Sequence, residues 1–185
     1  IYNAQLRWLW ATPEGSKVSE QNGKPDLYAP VNSFHRNDQL ANPDNSRSGG
    51  SPNCDTLYAT AWLDVTHDPI VISVPAVTDR FYCIEMVCMD ADNFAYVGTR
   101  STGTEPGNYL VAGPGWSGTV PDGVLDILPR SRTVSIFLLG RTGVNDSTQD
   151  DLNQAIGIQA QYSLTPLSLW PITPQLSPSI VIVPD

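Results

Sequence analysis

The sequence has few basic residues and no long apolar run. Ten lysines and arginines stand against nineteen aspartates and glutamates, which gives a formal net charge of −9 over 185 residues. This charge repels nucleic acids and anionic membrane surfaces, so we expect no nucleic-acid partner. Apolar runs such as SIFLLG and SIVIV have the length of strands and fall well short of the ~18 residues of a membrane helix. We therefore expect no membrane span.

The common catalytic motifs are also missing. The sequence has no phosphate-binding P-loop, no Gly-x-Ser-x-Gly turn and no His and Cys spacing suited to zinc. The stretch GPGWSG (113–118) matches the dinucleotide pattern G-x-G-x-x-G, but TVPDG follows where that site needs a helix. We interpret it as a loop. Of the two histidines, His35 is the better candidate for catalysis, because His67 lies in the turn-like stretch DVTHDP.

Metal and disulfide chemistry have little support. We expect no metal site and no cofactor; an irregular Ca²⁺ site at DADN (90–93) or NPDNS (42–46) is the alternative, since both lack the later positions of an EF-hand. Cys83 and Cys88 lie five residues apart in a predicted strand, so they point to opposite faces and should not pair. A disulfide from Cys54 to either of them and three free thiols are both open.

Glycines and prolines are spread along the chain and divide it into short segments, which predicts a β-rich fold. We predict strands at 57–65, 70–75, 81–89, 94–98, 108–112 and 133–139. One helix is predicted near 149–162, with Thr148 as its N-cap. The N-terminal IYNAQLRWLW fits a helix or a strand, and residues 11–53 are polar and turn-rich.

The expected fold is therefore mainly β, an antiparallel β-sandwich or barrel-like domain with one or two helices. We place a single β-rich domain at 1–170. A Pro-rich C-terminal arm with a short β segment follows at 171–185.

Charged residues mark the ends of several predicted strands. Asp55 opens one strand and Asp90 ends another, while Arg80, Arg100 and Arg141 stand at the ends of others. Strand ends meet at the rim of a β-rich domain, where a carboxylate and guanidinium groups could bind an oxygen-rich ligand. The alternative is that Asp–Arg pairs hold loops in place.

Several stretches then share a family likeness. They are FHRNDQL, PNCDTLYATAWLDV, PIVISVP, DRFYCIEMVCMDADNFAYVGTRSTGT, GNYLVAGPGWSGTVPDGV and FLLGRT. In this order they resemble the domain-of-unknown-function family 1254. The resemblance implies a β-rich domain with few helices and an extracellular or periplasmic location, and it brings no agreed reaction or cofactor. A second domain often follows in such proteins; we expect a stand-alone copy here. The positions that the resemblance highlights are Asn53, Asp55, Thr56, Tyr58, Arg80, Tyr82, Asp90, Asn93, Arg100 and Arg141.

Two functions are consistent with these observations. The preferred one is a secreted, self-associating structural or interaction module that needs no catalysis. In it the arm at 171–185 adds a strand to a neighbour's sheet and builds a homo-oligomer, ring or filament. The arm could equally fold back as an edge strand of its own domain.

The alternative function is an enzyme or binding protein for an oxygen-rich ligand such as a carbohydrate. Its ligand-binding residues would be Asn53, Asp55, Tyr58, Arg80, Arg100 and Arg141. The catalytic candidates are Asp55, His35 and Asp90, and Glu85 is a further candidate for a second carboxylate.

Overall fold

The computed structural model describes residues 2–21, 28–42, 53–146 and 148–170. The elements in these ranges are α1 (Tyr2–Ala11), α2 (Pro13–Gln21), β1 (His35–Arg36), β2 (Thr56–Asp64), β3 (Ile70–Val74), β4 (Tyr82–Cys88), β5 (Asn93–Gly98), β6 (Gly107–Val111), β7 (Ser135–Gly143), α3 (Gln149–Gln159), β8 (Ser163–Pro166) and a 3-10 turn at Leu167–Leu169. The strands form a five-stranded sheet in the order β1-β2-β7-β4-β5 and a three-stranded sheet in the order β6-β3-β8, and all neighbouring strands are antiparallel.

The alternation of buried and partly exposed residues along the strands creates the core between the two sheets. In β4 every second residue from Tyr82 to Cys88 is buried, as expected when one face of a strand is covered. This apolar face belongs to the same buried cluster as Ile70 and Ile72 of β3. Small residues lie on the five-stranded side, where a Cβ on Gly140 would come within 3.0 Å of the carbonyl oxygen of Ala59. The sheets therefore form a sandwich around one main core.

A second, smaller cluster covers the other face of the three-stranded sheet. Val71, Leu110 and Ala112 are buried there, and partly buried side chains pack on them. These are Trp116, Val120, Val124, Leu167 and Trp170. The GPGWSG stretch thus forms a loop that packs on the sheet, and no helix begins at it. Its interpretation as a loop is confirmed.

Hydrogen bonds from side chains fix helix α3 at both ends. The Thr148 side chain accepts a hydrogen bond from the backbone N–H of Asp151 and caps the first turn, as predicted. At the other end, Arg36 donates to the carbonyl oxygens of Gln159 (2.9 Å) and Tyr162 (2.6 Å). These bonds tie the C-terminal end of α3 and the residues after it to β1.

The expected fold class is confirmed, with two open sheets rather than a closed barrel in the described part of the chain. The ambiguous N-terminal segment is a helix, α1. Helix α2 lies in the region predicted to be turn-rich, and β8 lies where the Pro-rich stretch begins. The predicted arm at 171–185 lies outside the described residues.

The cysteines are free thiols, with Cys54 exposed, Cys83 half-buried and Cys88 buried. The different burial of Cys83 and Cys88 agrees with the prediction that they occupy opposite faces of their strand. None of the helices within the described ranges has the length and apolar character that crossing a membrane requires.

Candidate functional site

The face of the five-stranded sheet that points away from the core carries a group of polar side chains. Pairing aligns Tyr58 of β2 with Arg141 of β7, and Arg141 with Cys83 of β4. In the next row on this face, Glu85 of β4 is paired with Tyr96 of β5. Strands from three separate parts of the chain, β2, the β4–β5 hairpin and β7, thus bring these side chains to one surface. We call Tyr58, Cys83, Glu85, Asn93, Tyr96 and Arg141 the outer-face cluster.

Helix α1 covers the other end of this face. The ring of Trp10 lies 5.7 Å from that of Phe137, which in turn lies 4.9 Å from the ring of Trp62. Arg7 forms an ion pair with Asp64 at 3.1 Å. Phe137 and Arg141 are four residues apart on β7, or about 13 Å at the rise of a strand. The outer-face cluster is therefore beside the covered region, and Tyr96 is 40% exposed.

An ion pair stands at the centre of the cluster. Arg141 Nη1 donates to Glu85 Oε2 at 2.6 Å, and Asn93 Nδ2 donates to Glu85 Oε1 at 2.5 Å. The same Asn93 amide lies 3.0 Å from the hydroxyl of Tyr96. Both carboxylate oxygens therefore accept hydrogen bonds, and the side chains of Arg141 and Glu85 keep 30% and 14% of their surface exposed.

Tyr58 borders the ion pair on its other side. The guanidinium carbon of Arg141 lies 5.9 Å from the centre of the Tyr58 ring. Burial is the largest influence on the pKa of Arg141 and lowers it, but the bonds to Glu85 and Tyr58 outweigh burial, so the pKa is raised. Arg141 is a permanent cation with five N–H donors, and Glu85 accepts from only one of its nitrogens.

The polar stretch PNCDTLY orients Tyr58. Asn53 Oδ1 accepts from the backbone N–H groups of Asp55 (3.0 Å) and Thr56 (2.9 Å), which forms a tight turn at the entrance of β2. The backbone N–H and side-chain amide of Asn53 both donate to the Tyr58 hydroxyl, at 3.0 and 2.9 Å. The Asp55 carboxylate is exposed, and the contact it makes is with the thiol of Cys54 at 3.7 Å.

Arg100 and Phe81 extend the cluster beyond Cys83. The guanidinium carbon of Arg100 lies 5.7 Å from the centre of the Phe81 ring, and both side chains are exposed. Burial raises the pKa of the Cys83 thiol; Arg141 and Arg100 act in the opposite direction, and Glu85 adds to the increase. Cys83 is therefore a neutral thiol between two guanidinium groups.

The remaining candidates lie in other environments. The Arg80 side chain is 1% exposed and donates to Asp79, Asp151 and Gln154, so it holds the start of α3 against the sheet. Asp90 accepts from Arg132 at 2.8 Å, and Asp92 accepts from the same residue at 2.7 Å.

His35 lies on the short strand β1, opposite Thr60 and at the far edge of the five-stranded sheet from β5. No group of three or more His, Cys, Asp and Glu side chains suited to a metal ion occurs in the described ranges.

The structure thus brings together Asn53, Tyr58 and Arg141, with Arg100 nearby, and it places Arg80 in a separate buried network. Sequence reasoning does not single out Tyr96. The alternation in FAYVG could have identified it, because Ala95 and Val97 are core residues and Tyr96 faces the other way.

The comparison with protein families adds the identity of the domain. The model of the family described as "Protein of unknown function (DUF1254)" matches residues 31–166, a range that contains the whole outer-face cluster. The chain belongs to the DUF1254 family. The DUF1254 chain matches no curated protein.

The DUF1254 chain also has a counterpart among solved structures. The crystal structure of the VPA0106 protein from Vibrio parahaemolyticus is similar to it with a TM-score of 0.68 and 22% sequence identity. The match covers 100% of the DUF1254 chain and 39% of the Vibrio chain, so the DUF1254 chain spans about two fifths of that protein. At this identity the likeness shows the shared fold.

Proposed function

We propose that this DUF1254 domain binds an oxygen-rich ligand, such as a carbohydrate, on the outer face of its five-stranded sheet. The observation that supports the proposal is the Arg141–Glu85 ion pair at the centre of the face, in which the Arg141 side chain is partly exposed and the Glu85 side chain is mostly buried. Burial and two hydrogen bonds hold the Glu85 carboxylate in place, while Arg141 still reaches solvent. A fixed cation beside a fixed acceptor suits a ligand with neighbouring hydroxyl groups.

The chemistry of the cluster matches such a ligand. Adjacent sugar hydroxyls can each donate to a carboxylate oxygen and accept from a guanidinium N–H. Tyr58 and Tyr96 supply aromatic rings on either side of the ion pair, and such rings pack on the apolar face of a sugar. Their hydroxyls are already oriented by Asn53 and Asn93, which lowers the entropy cost of binding.

We propose binding without catalysis. Both oxygens of Glu85 accept hydrogen bonds from cationic or amide donors, so Glu85 acts as a fixed acceptor rather than as a proton donor. A second carboxylate is needed for the usual hydrolysis of a glycosidic bond. Asp55 is the nearest along the chain to Tyr58, and its exposed carboxylate contacts only Cys54 in the described structure.

Arg141→Gln tests the proposal. Oligosaccharide binding would be measured by saturation-transfer NMR and then by calorimetry, with the folded state of each variant checked by its melting curve. Hydrogen bonds to charged groups are worth about 1.5–3 kcal/mol, so we expect the substitution to weaken binding by roughly tenfold to one hundredfold.

Arg132→Gln is the matched control. Arg132 also pairs with carboxylates on the surface, but its partners are Asp90 and Asp92 outside the cluster. The Arg132→Gln substitution also removes one positive charge and should leave oligosaccharide binding unchanged. Asp55→Asn should leave it unchanged as well. Equal losses in the two arginine variants, or no binding by the wild-type protein to any oligosaccharide, would contradict the proposal.

Self-association through the arm at 171–185 stays a prediction, because that arm lies outside the described residues. An extracellular or periplasmic location and an irregular Ca²⁺ site likewise stay predictions.

A further inference from the structure

We infer that the ligand of this surface carries a carboxylate, as an acidic sugar does, and that this group binds between Arg100 and Arg141 above Cys83. The inference rests on the proposed function and names the class of ligand more narrowly. It depends on the geometry around Cys83 and on the charges of the outer-face cluster.

Strand pairing places Arg141 on one side of Cys83 and the end of β5, which the turn with Arg100 follows, on the other side. Cys83 is aligned with Arg141 on one side and with Gly98 on the other, and Arg100 follows Gly98 by two residues. Neighbouring strands lie ~4.8 Å apart, so the flanking strands are about 10 Å from each other. Two arginine side chains can converge on one group across that distance.

The surface between the arginines is open. Gly98 is the partner of Cys83 on β5, and Gly143 pairs with Thr56 beside Phe81, so neither of these positions carries a side chain. The thiol of Cys83 is small and half-buried. A planar carboxylate would therefore meet guanidinium groups at its sides and a neutral thiol beneath it.

The charges around Cys83 do not balance. Arg141 has Glu85 as its carboxylate partner, whereas Arg100 has no carboxylate within 4.0 Å among the described residues and lies over the Phe81 ring. Arg141 and Glu85 neutralise each other, so the outer-face cluster together with Arg100 carries one unbalanced positive charge, on a chain whose net charge is −9. Most other arginines with described contacts pair with aspartates, as Arg7, Arg80, Arg130 and Arg132 do.

The state of Cys83 favours an incoming anion. Burial keeps the pKa of this thiol raised although both arginines oppose the increase. The thiol is therefore uncharged and does not compete with a ligand for the guanidinium groups. The influence of both arginines on one sulfur atom also agrees with their position on either side of it. One unbalanced positive charge suits a single carboxylate, which bidentate guanidinium contacts recognise well.

The test compares matched sugars. Calorimetry would measure the binding of cellotriose, maltotriose and galactotriose, and of the same three trisaccharides oxidised at C6 to uronates, to wild type and to Arg100→Gln. We expect at least one uronate to bind wild type about tenfold or more tightly than its neutral counterpart, with a preference that decreases at high salt. Arg100→Gln should abolish the preference and retain the binding of the neutral sugar, whereas Arg132→Gln should retain both.

The outcomes separate this inference from the proposed function. One outcome is that neutral sugars bind, that their binding requires Arg141, and that their uronates bind no more tightly. In that case the proposed function stands and the carboxylate inference fails. It also fails if Arg100→Gln keeps the preference. If neither sugar class binds, both fail. In a Cys54→Ser background, a bound uronate should also slow alkylation of Cys83, and an unchanged rate would contradict the assigned position.

Discussion

At the scale of single residues, the partners of an arginine decide its role. Arg80 and Arg141 both stand at the ends of predicted strands, and their sequence contexts do not distinguish them. Arg80 is buried and its donors are occupied by Asp79, Asp151, Gln154 and backbone oxygens. Arg141 has one carboxylate partner and remains partly exposed. The first therefore supports the fold, and the second has donors to offer a ligand.

Asp151→Asn should weaken the fold and reduce its sensitivity to acid. Asp151 Oδ1 accepts from Arg80 at 3.0 Å, and Oδ2 accepts from the backbone of Asn145 at 2.6 Å. Burial is the largest influence on the pKa of Asp151 and raises it, but the bonds from Asn145, Asp146 and Arg80 outweigh burial and lower it. Because the folded pKa is lowered, this stabilisation is present above the ordinary pKa of 3.8 and is lost as the pH falls through the folded value.

Melting temperatures measured between pH 7 and pH 2.5 would check the predicted effect of Asp151→Asn. We expect Asp151→Asn to melt at a lower temperature than wild type at pH 7, and the difference to shrink below pH 4, where wild type loses the contribution. Asp150→Asn changes the neighbouring exposed residue of the same first turn and is the control. Identical pH profiles for the two variants would show that the Arg80–Asp151 bond is not the cause.

At the scale of elements, the local sequence pattern predicts strands in which apolar and polar residues alternate. It misses the elements that form only through contacts with distant parts of the chain. Strands β2 to β7 begin and end within a few residues of the prediction, because one face of each is apolar. Helix α2 is short and polar; it forms where Gly15 packs against α1, with a Cβ there only 2.0 Å from the carbonyl oxygen of Trp8. Strand β8 exists through its pairing with β3.

For the candidate site, too, the local sequence identifies some residues, whereas others depend on how distant strands pair. The motifs identify Asn53, Tyr58 and Arg141 as candidates. They do not tell which carboxylate meets Arg141, because this requires the pairing of β4 with β7. The position of Asn93 additionally depends on the register shift between Met86 and Val87.

Gly157→Ala should stabilise helix α3. A Cβ at this position meets nothing within 4 Å, and Gly157 lies inside the helix. Alanine lowers the entropy of the unfolded chain and has a higher helix propensity, so we expect a gain of about 0.5–1 kcal/mol in the free energy of unfolding. Urea denaturation would measure the gain.

Gly115→Ala is the matched control for conformation. A Cβ on Gly115 also meets nothing within 4 Å, but its φ of +71° lies in the left-handed region. Alanine there should cost about 1–2 kcal/mol. A stabilising effect of both substitutions would refute the conformational explanation.

At the scale of the whole molecule, the two faces of the five-stranded sheet are covered to different extents: the inner face is buried along its length, whereas α1 covers one end of the outer face. The inner face belongs to the main core that joins both sheets, and the outer face carries the proposed site. Substitutions of adjacent residues in one strand can therefore differ in their effect on stability. Leu138 of β7 is 0% exposed in the core, whereas Leu139 is half-buried on the outer face and paired with Glu85.

Leu138→Ala should destabilise the whole molecule in a single transition. Truncation of a core leucine costs about 2–5 kcal/mol, because it removes transfer free energy and leaves a cavity. Since the main core contains residues of both sheets, near-UV and far-UV circular dichroism should report the same lowered urea midpoint. Leu139→Ala, which truncates the same side chain one residue away, should cost about 1 kcal/mol. Separate transitions in the two spectral regions would show that aromatic packing and secondary structure are lost in different steps, against the single transition expected here. Equal costs for the two variants would contradict the expectation that only Leu138 belongs to the core.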